Sequence, residues 1–343
     1  MGVYLTPIIV KEVVNLKQLR GRRLAVDGNG MLYEFLSLIR LRDGTPLKDR
    51  YGRVTSHLAG LVHRVARLLD DYEIDLVLVF DGKPPGLKSK TVEKRRIARR
   101  KAIREYKEAL ERGDTATAFS KAVMTSRLTP TMVEEAKKTL ELLGVPYVQA
   151  PGEGEAQAAY MAASGSVWAA ASKDYDSLLF GAPRLVRFLT ISGREYLPSR
   201  GTFRSLKPEV IEMSRMRQVL GVDREQLVDL AILIGTDFNA GIRGIGPKTA
   251  LELIRRHGRI EELPEELLSR VDKNLNEVRQ IFLNPSITSN YSVRYFKPRT
   301  TELARYLCEE RGFDRNRVET AMKRMEHFFE RSGQSSFERW ARS

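Results

Sequence analysis

Asp75-Leu76-Val77-Leu78-Val79-Phe80-Asp81 decides the fold. Five consecutive apolar residues without polar alternation describe a strand that is apolar on both faces, and such strands lie buried in parallel sheets covered by helices. Leu24-Ala25-Val26, entering Asp27-Gly28, reads the same way. Val167-Trp168-Ala169-Ala170-Ala171 gives a third strand, which runs into Lys173-Asp174-Tyr175-Asp176. Helical patterns over 31–40, 56–72 and 130–143 lie between the strands. This alternation implies an α/β fold with a central, mostly parallel sheet flanked by helices.

Composition narrows the partners. The chain has 343 residues, 42% of them hydrophobic, which is enough for a sizeable core and excludes wholesale disorder. Fifty-eight Lys and Arg against 44 Asp and Glu leave a net charge of +14, which favours a polyanion, either nucleic acid or an acidic membrane surface. Cys308 is the only cysteine, so neither a disulfide framework nor a Cys-based zinc site is available. The longest apolar runs are far too short to span a bilayer. His57, His63, His257 and His327 share no metal-ligand spacing on one helical face, and no Gly-x-Ser-x-Gly elbow is present. The start, Met1-Gly2-Val3-Tyr4-Leu5-Thr6, satisfies the permissive myristoylation pattern. The preferred reading of Gly2 is a small residue that lets the N-terminus pack closely against the body.

The acids carry the chemistry. Asp27 and Asp81 end two strands, and Asp174 and Asp176 follow the third. Ligands of open α/β sheets bind at the carboxyl ends of strands, so these acids should meet at one edge. Glu153 and Glu155 stand where a helix should begin, and Asp237 closes the apolar stretch Leu230-Ala231-Ile232-Leu233-Ile234-Gly235-Thr236. Each acid alone is explained by a cap or a turn. Together they would repel one another and raise their pKa values unless cations join them. Oxygen-only ligands suit Mg²⁺ or Mn²⁺, and a pair of such ions serves in-line attack of water on a phosphodiester.

Two other stretches stand out. Between Lys83 and Arg112, twelve Lys and Arg oppose only four Glu in a helical pattern poor in large apolar residues, expected to project from the body. Gly241-Ile242-Arg243-Gly244-Ile245-Gly246-Pro247-Lys248 combines glycines that let backbone N–H groups approach a phosphate with a proline suited to a first helical turn.

With these residues in view, the chain resembles the flap endonucleases of the structure-specific 5′-nuclease superfamily over nearly its full length. The resemblance is carried, in order, by Val26-Asp27-Gly28, Thr55-Ser56-His57-Leu58, Val79-Phe80-Asp81-Gly82-Lys83-Pro84-Pro85, Ala150-Pro151-Gly152-Glu153-Gly154-Glu155-Ala156, Ser172-Lys173-Asp174-Tyr175-Asp176, and Gly235-Thr236-Asp237 through Gly246-Pro247-Lys248. It implies a nuclease that cuts branched DNA near a 5′ flap, in Okazaki-fragment maturation and base-excision repair. Two Mg²⁺ ions, replaceable by Mn²⁺, would serve it: Asp27, Asp81, Glu153 and Glu155 at one subsite, Asp174, Asp176 and Asp237 at the other. Lys88 and Arg95 match its catalytic cations, on a basic helical arch and cap that threads the 5′ strand. Tyr33 matches a residue that stacks on a nucleotide, and Thr55 and Arg64 match contacts to upstream duplex and its 3′ flap. Gly244, Gly246 and Lys248 match a helix–turn–helix element that binds downstream duplex and often a K⁺ ion. Gly2 matches a position where the initiator methionine is removed.

The resemblance also divides the chain: an N-terminal nuclease region 1–105 with the start of the gateway, cap helices 106–135, an internal nuclease region 136–258, a C-terminal helical region 259–331, and a flexible tail 332–343. In the tail, Gln334, Phe337 and Trp340 match the peptide that docks on a PCNA-type sliding clamp, although Ala341 stands where a second aromatic belongs. The expected protein is monomeric and cytoplasmic, of an archaeal type because no Lys-rich extension follows. The alternatives are a 5′-exonuclease or junction-resolving nuclease of the same superfamily, or a non-catalytic DNA-binding accessory of the clamp.

Overall fold

The computed structural model describes residues 2–83, 85–190, 193–197 and 202–340, apart from the side chains of 89–92, 94, 193–197, 202–205 and 333–340. Its strands are β1 (Glu12–Val13), β2 (Arg23–Asp27), β3 (Asp75–Phe80), β4 (Tyr147–Gln149), β5 (Ala169–Ala171), β6 (Arg184–Arg187), β7 (Gly193–Leu197), β8 (Thr202–Leu206) and β9 (Glu209–Glu212). Seven of them form one sheet in the order β1-β9-β6-β5-β2-β3-β4, while β7 and β8 form a separate hairpin. The five strands from β6 to β4 are parallel, and β9 and β1 join antiparallel at one edge. From β2 the chain builds outward through β3 and β4, then returns to lay β5 and β6 on the other side. The strand order therefore reverses between β2 and β5, and a crevice opens beyond their carboxyl ends.

The period of two along the strands sorts side chains between two apolar layers. Leu24, Val26, Leu76, Leu78 and Phe80 enter one core, and Ala25, Val77 and Val79 enter the other. The first core is covered by α1 (Gly28–Leu38), α2 (Ser56–Asp70) and α5 (Pro130–Leu143), and by the C-terminal helix Arg315–Trp340. The basic segment forms α3 (Ser89–Glu111), paired with α4 (Thr115–Met124). On the other face lie α6 (Gly154–Ala163), α7 (Asp176–Leu179), α8 (Met213–Leu220), α9 (Arg224–Ile234) and α10 (Pro247–His257). Alanines on both sides, Ala170 of β5 and Ala156, Ala159 and Ala162 of α6, allow this helix to sit close to the sheet.

The sequence places α5 correctly because its signals are complete: Thr129 caps the start, Pro130 opens the first turn, and Gly144 ends it in the left-handed conformation. Other boundaries differ. Helix α1 starts at Gly28 rather than 31, because the Asp27 carboxylate accepts the Gly30 N–H and caps it. Strand β5 begins at Ala169 rather than 167. From Ser332 the sequence suggests a flexible tail, but the helical backbone continues through Trp340, where no proline interrupts it. The side chains of Gln334, Phe337 and Trp340, and all of Ala341, lie outside the described residues.

Helices α1 and α2 approach so closely at Gly60 that a Cβ there would lie 2.2 Å from the Phe35 ring, which is itself buried. Helix propensity alone would make Gly60→Ala stabilising by about 1 kcal/mol. Overpacking of the ring opposes this by roughly 1–3 kcal/mol. Gly60→Ala is expected to lower the unfolding midpoint in guanidinium. A raised midpoint would mean that this interface yields.

Candidate active site

The crevice at the switch point collects the acids. Asp27 ends β2, and Asp81 follows β3 one position along the same edge. The Asp81 loop is stitched to the segment before α6, since Gly82 N–H donates to the Gly152 carbonyl at 2.7 Å and Lys83 N–H to that of Pro151 at 3.2 Å. That stitching brings Asp81 against the α6 N-terminus, where its Oδ1 accepts the Gly154 N–H at 2.7 Å. Glu153 is the N-cap residue of α6 and Glu155 lies in its first turn. Asp174 and Asp176 lie between β5 and the body of α7, and Asp237 follows α9. All seven acids are thus delivered to one edge by six different elements.

Nearly every acid holds a protein donor. Asp27 accepts the Gly30 N–H at 2.9 Å, and Glu155 accepts the Ser172 hydroxyl at 2.6 Å. Asp176 accepts the Val3 N–H at 2.9 Å. The N-terminus is packed so tightly here that a Cβ at Gly2 would fall 2.4 Å from Asp176 Oδ1. This close approach accounts for Gly2 on structural grounds. Two cations come from the basic segment: Lys88 Nζ meets Glu153 at 2.5 Å, and Arg95 Nη2 meets Asp237 at 2.6 Å. The two basic residues therefore reach acids from separate elements while standing two turns apart.

The acids act on one another through burial and charge. Asp27 keeps a little exposed surface but sits deep among protein atoms, and burial, then the charge of Asp81, raise its pKa to about 8. Burial and the neighbouring Asp174 and Asp237 raise Asp176 to about 7, against the pull of the Val3 N–H. Glu155 is driven well above the usual carboxylate range by burial, Asp176, Asp27 and Asp174. Burial also raises Glu153, although Lys88 offsets part of the shift. For Lys88, burial acts to lower the pKa, but Glu153 outweighs it and the ammonium is stabilised.

Among the described residues, no three of these carboxylates converge tightly enough to enclose an ion as they stand. Lys88, Arg95 and backbone N–H groups take the oxygens instead. The donor set nevertheless fits hard divalent cations, being all carboxylate and charged beyond what the local donors neutralise. Asp27, Asp81, Glu153, Glu155, Asp174, Asp176 and Asp237 could hold them. The cavity behind Asp27 and Glu34 measures only about 20 Å³, too small for a metabolite.

Other residues singled out by sequence fall into two groups. Tyr33 is 44% exposed on α1 and so is not a core residue. Gly244, Gly246 and Lys248 lie in and just after the turn before α10, with open space beside both glycines and Lys248 exposed. Thr55, by contrast, is buried, and Arg64 turns inward to donate to the Leu189 carbonyl at 2.6 Å. Sequence reasoning missed Glu34, which is buried within the field of Asp27 and Asp174 and accepts the Thr190 hydroxyl. It also missed Arg187, buried at the end of β6. A charged residue beside the apolar pair Leu185-Val186 was the only available signal.

Comparison with known proteins agrees with this chemistry. The XPG N-terminal domain matches residues 1–102 and the XPG I-region matches 144–237. Those two stretches supply all seven carboxylates, and they put the chain in the class of XPG-type nucleases. A flap endonuclease 1 from Pyrococcus furiosus is 45% identical over 341 residues, covering 99% of each chain. One from Caldivirga maquilingensis is 49% identical over 325 residues, covering 94% of this chain and 93% of the relative. The solved flap endonuclease-1 from Methanococcus jannaschii superposes with a TM-score of 0.77 at 39% identity, covering 96% of this chain and all of that one. The chain belongs to the flap endonuclease 1 family, whose members depend on divalent metal.

Carboxyls whose folded pKa is raised bind more protons folded than unfolded. Their contribution to stability is fully present below about pH 4 and is lost as pH rises through about 7 for Asp176 and about 8 for Asp27. In EDTA, thermal melting temperatures should therefore fall between about pH 5 and about pH 9, and Asp27→Asn should flatten the decline. Excess Mg²⁺ should restore the midpoint at high pH. A wild-type melting temperature independent of pH in EDTA would contradict the charge crowding.

Proposed function

We propose that this protein is a structure-specific 5′ flap endonuclease, hydrolysing a DNA phosphodiester near the junction of flap and duplex during Okazaki-fragment maturation and base-excision repair. The observation that carries this reading is the gathering of seven carboxylates at the sheet's switch point, faced by two cations from the basic segment. Asp27, Asp81, Glu153 and Glu155 would hold one divalent ion, and Asp174, Asp176 and Asp237 a second. Mg²⁺ is the expected ion, with Mn²⁺ able to replace it. When bound, the pair supplies an acidified attacking water and charge stabilisation on the phosphate and leaving oxygen.

The chain's own residues do the rest. Lys88 and Arg95 exchange their carboxylate partners for the scissile phosphate, neutralising the charge that grows on its oxygens. Tyr33 presents an exposed ring on which the nucleotide beside the cut can stack. Gly244, Gly246 and Lys248 grip downstream duplex through its backbone, with K⁺ as the ion this turn would take. Thr55 and Arg64 are kept as upstream-duplex residues on the family resemblance alone. The same holds for Gln334, Phe337 and Trp340 as the site for a PCNA-type clamp, and for a monomeric, cytoplasmic protein. Among the described residues no helix is long and apolar enough to cross a membrane. Selectivity comes from DNA shape and bending, because backbone contacts position the substrate and do not read its bases.

The test is single-turnover cleavage of DNA carrying a 5′ flap and a one-nucleotide 3′ flap, beside nicked, blunt and four-way DNAs. One Mg²⁺-dependent cut near the flap junction, fastest on the double-flap DNA, is expected. Preference for blunt or four-way DNA would instead mark a sister specialisation, and tight binding without cleavage an accessory protein. Lys88→Ala should slow cleavage by roughly 10²–10³-fold, with a much smaller effect on DNA affinity. Asp174→Asn should abolish turnover and spare binding in EDTA. Turnover surviving that change would make Asp174 structural.

A further inference from the structure

Beneath the loop that bears Asp174 and Asp176 lies a buried arginine that the mechanism above does not use. Arg187 ends β6 and is 9% exposed. Its Nε donates to the Lys173 carbonyl at 2.9 Å. Its Nη1 donates both to the Tyr175 hydroxyl at 2.6 Å and to Glu209 Oε2 at 3.0 Å. The guanidinium also lies 4.0 Å from the centre of the Tyr175 ring and 4.5 Å from that of Phe188. Glu209 faces Arg187 directly across the antiparallel β6–β9 pair, and its other oxygen takes Lys11 Nζ at 2.5 Å. The Tyr175 hydroxyl meets Thr6 Oγ1 at 3.1 Å.

These contacts alternate with the acids. Residues 173 and 175 are tied to Arg187, one through its carbonyl and the other through its side chain, whereas 174 and 176 carry the carboxylates. The Glu209 carboxylate neutralises the buried guanidinium, so the arginine brings no unpaired charge to a crowded crevice. We infer that Arg187 is a positioning residue: it fixes the loop from below so that Asp174 and Asp176 are presented to the divalent ion in one geometry. This rests on the reading that these two acids bind that ion. The guanidinium serves three acceptors on two elements at once, through rigid, coplanar donors that an ammonium cannot reproduce. Outer partners that orient ligating groups typically carry about 10–100-fold in metal affinity.

The experiment uses Arg187→Lys, which keeps the charge opposite Glu209 but loses the fork, and Tyr175→Phe, which removes only the hydroxyl. Should Arg187→Lys not fold, as judged by thermal melting, Tyr175→Phe decides. Mn²⁺ binding to metal-depleted protein is followed by electron paramagnetic resonance, flap-DNA affinity is measured in EDTA, and single-turnover rates are recorded across a Mn²⁺ titration. Both variants should bind DNA as wild type does, lose about tenfold in Mn²⁺ affinity at one subsite, and recover rate as Mn²⁺ is raised. Mn²⁺ affinity unchanged in both variants, while Asp174→Asn loses it, would overturn the inference and leave the metal reading intact. Full Mn²⁺ binding by Asp174→Asn would overturn the metal reading, and the inference with it.

Discussion

Seven carboxylates in one crevice repel one another, and much of the molecule is arranged to contain that repulsion. Two like charges about 4 Å apart near a protein surface oppose each other by about 4 kcal/mol, more than one charged hydrogen bond returns at about 1.5–3 kcal/mol. No single donor can therefore hold the cluster. The donors come instead from across the chain: Val3 from the N-terminal segment, Gly30 from α1, Gly154 from α6, Ser172 after β5, and Lys88 and Arg95 from the basic segment. What they leave unbalanced appears as protons retained near neutrality on Asp27 and Asp176. The crevice is thus a joint at which distant parts of the sequence are fastened, and its demand for positive charge is what divalent ions meet.

The distribution of charge also separates attraction from reaction. A net charge of +14 draws a polyanion to the surface. The crevice itself is acidic and would turn a bare phosphate away. Lys88 and Arg95 stand on that boundary, each already committed to an acid that has other uses. Their ion pairs hold the basic segment against the site.

Much of this was legible in the sequence because the signals were local and redundant. Leu76 to Phe80 could only be a doubly buried strand, and Thr129, Pro130 and Gly144 bracket α5 from both ends. The acids were found because strand ends and helix starts have signatures of their own. Strands β4, β6 and β9 escaped because each has only three or four residues, and two mix charge with apolar residues: Arg184 and Arg187 bound β6, and Glu209 and Glu212 bound β9. Their identity comes from pairing with neighbours distant in sequence, which no local pattern encodes. The same holds for Arg187 and Glu209, 22 positions apart in sequence and opposite one another in space. The contact from Arg64 to the Leu189 carbonyl, 125 positions away in sequence, is equally absent from any local pattern.

The seam between α3 and α4 has a consequence of its own. Among the described residues, the buried apolar side chains of these two helices are Ala102, Ala109, Ala118 and Ala122, while the larger Ile97, Ile103 and Leu110 of α3 stay exposed. A buried methyl group contributes about 0.8 kcal/mol, so these four alanines contribute far less than the leucines and valines of the sheet. The attachment of this pair therefore leans on ion pairs, Lys121 with Glu105 across the seam and Lys88 and Arg95 at the crevice, and such exposed or half-buried pairs weaken as ionic strength rises while the apolar sheet does not.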